Sequence, residues 1–265
     1  MNHLGDFWLV YGQAYLLILA LMMLLWLVSL ALRNTSIVDI FWGPGFLLAA
    51  ATYFQLADDG YIIRKILVLS LTAIWGLRLG VYLFWRNAGQ GEDFRYAKMR
   101  QAARGEWWWQ SFLKVFLLQG TILWLVSAPL LGAQYRTGAN SLNLLDFLGA
   151  LVWSIGFAFE AIGDWQLARF KKNPKNKGKL LTTGLWYYTR HPNYFGDACV
   201  WWGFGLISLA AGSIFPVLGS ILMTYVIVRI SGVAMLERSL SRSKPGYEAY
   251  MTRTSSFWPR PPRGK

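Results

Sequence analysis

"TRHPNYFGDACVWWGFGLISLAAG", residues 189 to 212, decides how the rest of the chain is read. Its first nine residues include an Arg, a His, an Asn and an Asp, and the next fifteen form an almost unbroken apolar run. A charge at the centre of a bilayer costs about 3 kcal/mol on insertion scales, so polar groups retained beside hydrocarbon usually face a bundle interior or a water-filled cavity.

Outward from this stretch the same pattern recurs. The chain of 265 residues is 55% hydrophobic and only 15% charged, and its apolar runs have the roughly 20-residue length that crosses a bilayer core. Seven spans are expected, at 8–32, 37–57, 66–85, 111–133, 144–167, 193–211 and 213–231. No Lys or Arg precedes the first run, which is too long for a secretory signal and is read as a span. The fold class is therefore all-α, a polytopic membrane protein of about seven helices. No repeat or long linker divides it, so residues 1–265 are read as a single domain, with the cofactor-binding half at about 75–265.

The formal charge of +13, from 26 Lys and Arg against 13 Asp and Glu, does not indicate nucleic acid, because the positive residues fall in alternate loops. One side of the expected topology carries about 20 of the 26, while the other holds Arg64, Lys65 and Arg136. This positive-inside pattern predicts a cytoplasmic C-terminus, an outside N-terminus and, in a bacterium, the inner membrane. Cys199 lies alone in an expected span, and His3 and His191 have no metal-ligand spacing, so neither a disulfide framework nor a metal site is expected.

Within the spans, polar residues repeat at helical spacing. Arg78, Tyr82 and Arg86 line one face of the third span, Glu160 and Asp164 one face of the fifth, and Asn193, Asp197 and Trp201 one face of the sixth. These stripes lead toward basic loops rich in aromatic and acidic residues, "GEDFRY" and "LWYYTRHPNY" among them, and together they predict a ligand cleft open to the cytoplasmic side. Pairing among the stripe residues to hold the bundle is the alternative. Asp39 begins the second span, ahead of a Gly-Pro-Gly break, and reads equally as a helix N-terminal acid or a catalytic one. The G-x-G fragments in "GQGEDF" and "GFGLIS" lack the remaining features of a dinucleotide fingerprint.

The segments "FKKNP" (170–174) and "GLWYYTRHPNYFGD" (184–197) resemble the C-terminal motif of membrane sterol reductases. "VDIFWG" (38–43), "WGLRLGVYLFWR" (75–86), "EDFRY" (92–96) and E-x-x-x-D-x-Q (160–166) extend the likeness to the bacterial branch of the steroid 5-alpha-reductase family. The resemblance implies a reductase that uses NADPH to saturate a carbon–carbon double bond conjugated to a carbonyl, in a lipophilic enone or steroid-like substrate drawn from the bilayer. It places Arg78, Arg86, Arg95 and Tyr96 at phosphate, ribose or adenine, and Glu160, Asp164, Lys171, Tyr188, Arg190, His191, Asn193, Asp197 and Trp201 around the rest of the cofactor. It also implies that Asp39, protonated, meets the carbonyl oxygen. The phenol that shares this task in the steroid-reducing enzymes falls on Trp75 here, which leaves Tyr82 as the nearest phenol on that helix.

Integral membrane methyltransferases of the isoprenylcysteine type, which use S-adenosylmethionine, share R-H-P-x-Y-x-G and an E-x-x-L tail similar to "MLERSL". "FKKNP", "EDFRY" and the acid at 197 favour the reductase. A lipid-binding scaffold that retains a cofactor site without turnover is a third class. Membrane lipids are the expected surroundings, and no obligatory protein partner is evident.

Overall fold

The computed structural model describes residues 3–57, 60–135 and 141–263, the side chains of 3–5, 231 and 239 excepted; Arg136 and the side chain of His3 therefore lie outside the described set. Among the described residues there is no β-strand, only an isolated bridge between Thr189 and Ser255. The chain divides into two compact units, one of residues up to 143 with 208–216, the other of 144–207 with 217 onward.

The first unit contains α1 (His3–Leu32), α2 (Ile37–Ile40), α3 (Trp42–Leu56), α4 (Ile62–Asn87) and α5 (Phe94–Ala102). A continuous rod follows, formed by α6 (Trp107–Ser111), a π-turn at Phe112–Leu117 and α7 (Leu118–Val126), and after a one-residue break comes α8 (Ala128–Gln134). The second unit holds α9 (Leu144–Lys172), α10 (Leu185–Tyr188), most of α11 (Pro192–Ala210), α12 (Leu218–Tyr225), a second π-turn at Val226–Ser231, α13 (Val233–Ser243) and α14 (Tyr247–Arg253).

Five helical stretches are long and apolar enough to cross a membrane: Asp6–Leu32, Ile62–Asn87, Trp107–Gln134, Leu144–Lys172 and Phe215–Ser243. At 1.5 Å per residue each exceeds the roughly 30 Å hydrocarbon thickness. The chain is thus an all-α, multi-pass membrane protein by length and composition. The two other expected spans are helical but differ from the expectation. That at 37–57 is interrupted at Phe41, where the backbone leaves helical geometry (φ −90°, ψ 5°). α3 then runs for 15 residues, about 22 Å of rise. The interruption does not lie at Gly43-Pro44-Gly45, because Pro44 sits in the first turn of α3, where no backbone donor is needed. α11 has the length, but Asn193, Asp197 and its glycines reduce its apolarity. Pro192 is its first residue, as its missing N–H favours.

Close approach through glycine defines the packing within each unit. In the first, a Cβ on Gly76 of α4 would lie 2.6 Å from the Gly43 carbonyl oxygen of α3. In the second, a Cβ on Gly196 of α11 would lie 2.5 Å from the Gly156 oxygen of α9 and would press on the Glu160 amide. Small residues that let backbones touch are a main means of helix association in membranes, where apolar burial drives little.

Candidate functional site

In the first unit the polar residues gather where α2, α5 and α7 meet. The short loop before α2 is held by the segment before α5: the Thr35 amide donates to Glu92 (2.8 Å) and the Asp93 amide to Ser36 Oγ (2.6 Å). Glu92 is gripped by Arg100 through two bonds (2.8 and 2.9 Å), and Trp107 donates to Thr35 Oγ1 (3.0 Å). Burial alone would raise the Glu92 carboxyl, but the Arg100 and Thr35 donors leave it below its ordinary value. This lattice carries Asp39, which accepts from the Tyr96 hydroxyl at 2.6 Å and from Arg95 at 2.7 Å. Tyr96 in turn accepts from Gln119 at 2.9 Å. Burial, reinforced by the neighbouring Asp39 charge, raises the Tyr96 phenol well above its ordinary range, so it stays protonated.

Arg95, expected at a cofactor phosphate, is shared by two carboxylates: its Nε donates to Asp93 (2.8 Å) and its Nη2 to Asp39. On α4 the helical stripe is present. Tyr82 lies between two guanidinium groups, Arg78 at 6.0 Å and Arg86 at 5.8 Å from its ring centre, a cation–π arrangement. Arg86 also bonds to Asn87. The phenol bonded to Asp39 is Tyr96.

In the second unit α9 and α11 present their polar stripes to the α9–α11 contact that Gly156 and Gly196 create. Glu160 and Asp164 are both buried, and Asn193 donates to Asp164 at 3.1 Å. Trp201 is wholly buried, whereas Lys171 and Tyr188 are exposed. Arg190 and His191 do not lie at an exposed rim as their place beside α11 suggests; both are buried, because the C-terminal residues close over them. Arg190 N donates to Ser255 O, and the Arg190 guanidinium donates to Glu237 of α13 through Nε (2.8 Å) and Nη2 (2.5 Å), to Met251 O (3.0 Å) and to Thr254 O. His191 stacks on Tyr194, with Nε2 3.4 Å from the same Glu237 oxygen. That Nε2 and the Asn193 carbonyl oxygen are buried with no well-directed hydrogen bond among the described residues.

Gln119 and Glu237 are parts of these clusters that the sequence reading did not assign. Gln119 is an amide inside an apolar run, a signal in itself, since hydrocarbon leaves such a group few partners. Glu237 sits in "MLERSL", and only the fold brings it to Arg190.

Among the described residues no group of three His, Cys, Asp or Glu side chains could hold a metal. No solved structure matches the chain. An uncharacterized protein of Schizosaccharomyces pombe is 28% identical over 89% of this chain and 76% of its own length. A probable O-methyltransferase of Ustilaginoidea virens is 31% identical over 52% of the chain, and a delta(14)-sterol reductase of Ascobolus immersus is 31% identical over 48%. The matches span 44% and 31% of those two relatives, less than half of each. Residues 25–254 match the family described as Protein of unknown function (DUF1295), which is most of the length. The chain belongs to the DUF1295 family.

Proposed function

We propose that the chain is a membrane reductase that uses NADPH to saturate the double bond of a lipophilic enone. The observation that carries this reading is the Tyr96–Asp39 pair. Reduction of an enone builds negative charge on the carbonyl oxygen, and a preorganised donor aimed at that charge lowers the barrier. The Tyr96 phenol is kept protonated by its surroundings, and its single O–H, which points to Asp39 at 2.6 Å, becomes such a donor by turning to the carbonyl oxygen; methyl transfer requires none. The donor proposed here is therefore Tyr96, with Asp39 holding it, in place of Tyr82. The relative named as a sterol reductase supports the same chemistry.

NADPH, when bound, supplies the hydride. The residues of the second unit fit such a group: the buried Asn193 oxygen and His191 Nε2 lack well-directed partners, and an amide or a ribose hydroxyl satisfies atoms of this kind. Asp164 fixes the Asn193 amide by accepting its N–H. Glu160, Asp197, Lys171, Tyr188 and Trp201 are proposed to complete the surroundings. The positive loops support a cytoplasmic C-terminus and an outside N-terminus; residence in a bacterial inner membrane is proposed alongside them.

A methyltransferase is the second reading. One finding favours it: a relative is named a probable O-methyltransferase. Thermal unfolding of the purified protein with NADPH or S-adenosylmethionine separates the two. A ligand at 100 times its dissociation constant stabilises the folded state by about 2.7 kcal/mol. The reductase reading expects that shift with NADPH alone; a shift with S-adenosylmethionine alone overturns it.

A further inference from the structure

At the end of α9 the second unit holds a cavity of about 300 Å³ that the cofactor residues do not use. It is lined by Trp165, Gln166, Arg169, Asn173, Asn176 and Thr183, among others. Trp165 and Arg169 share one face of α9, Asn173 follows directly after the helix ends at Lys172, and Asp164 and Lys171 lie on a different face.

The lining is built to donate. The Gln166 oxygen accepts from the Leu185 amide (3.1 Å) and the Asn173 oxygen from the Lys175 amide (3.0 Å), which leaves their N–H₂ groups as donors. Arg169 lies over the Trp165 ring at 5.4 Å, a cation–π contact at the edge of the cavity. Among the described residues the lining carries no Asp or Glu, and Arg169 is its one charged side chain; Lys171, Lys172, Lys175, Lys177 and Lys179 follow in the same segment. A cavity with several donors, a guanidinium and no carboxylate suits a phosphate.

The source of that phosphate is indicated by what adjoins the cavity. Leu151, Ile155, Ile162 and Trp165 of α9 are exposed. Their spacing of three, four and seven makes them one apolar stripe along a membrane-length helix, and the stripe ends at Arg169. We propose that this cavity binds the phosphate headgroup of an anionic phospholipid whose acyl chains lie along that stripe. Trp at the interface, with Arg one turn beyond it, is the arrangement such a lipid meets.

Native mass spectrometry of the detergent-purified chain, titrated with phosphatidylglycerol or phosphatidylcholine, tests the assignment. The wild type is expected to bind one phosphatidylglycerol with preference over phosphatidylcholine. The double substitution Arg169→Gln, Asn173→Ala is expected to weaken it about tenfold, as loss of a charge-assisted contact does. Thr183→Val, which leaves the charge unaltered, is expected to weaken it by a smaller factor. Lys177→Gln with Lys179→Gln removes more charge from outside the cavity and is expected to leave it nearly unchanged. If the lysine pair loses as much affinity as the Arg169/Asn173 pair, the attraction is diffuse and the proposal fails. It fails equally if sn-glycerol 3-phosphate or inorganic phosphate displaces the lipid at comparable concentration, since the ligand is then a soluble phosphate.

Discussion

Replacing Gly196 by Ala tests whether the α9–α11 contact holds the polar stripes in place. The added methyl group would lie 2.5 Å from the Gly156 oxygen and closer still to the Glu160 amide. Both are backbone atoms of one helix, so no rotamer relieves the overlap. Ordinary contact requires about 3.4 Å, so the helices must separate by nearly 1 Å. Overpacking of this kind costs up to about 3 kcal/mol, and the better helix propensity of Ala returns roughly 1. A net loss of about 2 kcal/mol lowers the melting temperature by roughly 4 to 8 °C for a chain of this size. The same separation lengthens the 3.1 Å bond from Asn193 to Asp164, one helical turn away. NADPH stabilisation should therefore fall together with the melting temperature. Gly12→Ala is the matched control. It lies within α1 with nothing within 4 Å of the added methyl, so it should be neutral or raise stability by up to about 1 kcal/mol. Equal melting temperatures for Gly196→Ala and wild type would refute the close-packed geometry.

Arg190→Lys should cost about 3 kcal/mol and expose the C-terminal residues to limited proteolysis, because an ammonium cannot serve Glu237, Met251 O and Thr254 O together. Glu92→Gln should cost about 1 kcal/mol at neutral pH, a value reduced because Arg100 is partly solvent-exposed. The Glu92 carboxyl is lowered in the folded state, so its contribution is present above 4.5, its ordinary value, and is lost as pH falls through the lower folded value. The gap between wild type and Glu92→Gln should narrow accordingly in an acid titration of stability. Tyr96→Phe should slow enone-dependent NADPH oxidation about a hundredfold while Tyr82→Phe changes it little; the reverse order would restore Tyr82 as the donor.

What a single sequence could convey here follows from range. Five of the seven expected spans were legible because an apolar run of bilayer length has few other uses, and the stripe on α4 because helical spacing is local: Arg78, Tyr82 and Arg86 do stack as their four-residue interval requires. The interruption at Phe41 was not legible, since the glycines around Pro44 point to a break one turn later than the one that forms. Nor were the pairs that join distant segments. Asp39 and Tyr96 are 57 residues apart and Arg190 and Glu237 are 47, and nothing in composition or periodicity couples them. Gln119 stands out as an amide within an apolar run, but its partner Tyr96 does not follow from that run.

The Arg190 geometry alters how the R-H-P motif should be weighed. Arg190 is buried and makes four side-chain hydrogen bonds within the protein, which uses four of the five N–H groups a guanidinium has. A side chain so committed ties α11 to α13 and to the C-terminal residues and has little left for a phosphate. Its bonds to Glu237 therefore close this end of the fold and do not distinguish one cofactor from another. The discriminating residues are those the closure leaves over. His191 and Asn193 lie within three residues of Arg190 and carry buried atoms that lack well-directed partners among the described residues. His191→Phe and Asn193→Leu should accordingly abolish the NADPH-induced stabilisation while costing less than Arg190→Lys in the absence of ligand. If Arg190→Lys removed ligand binding but left the melting temperature unchanged, the division between a closing residue and binding residues would be wrong.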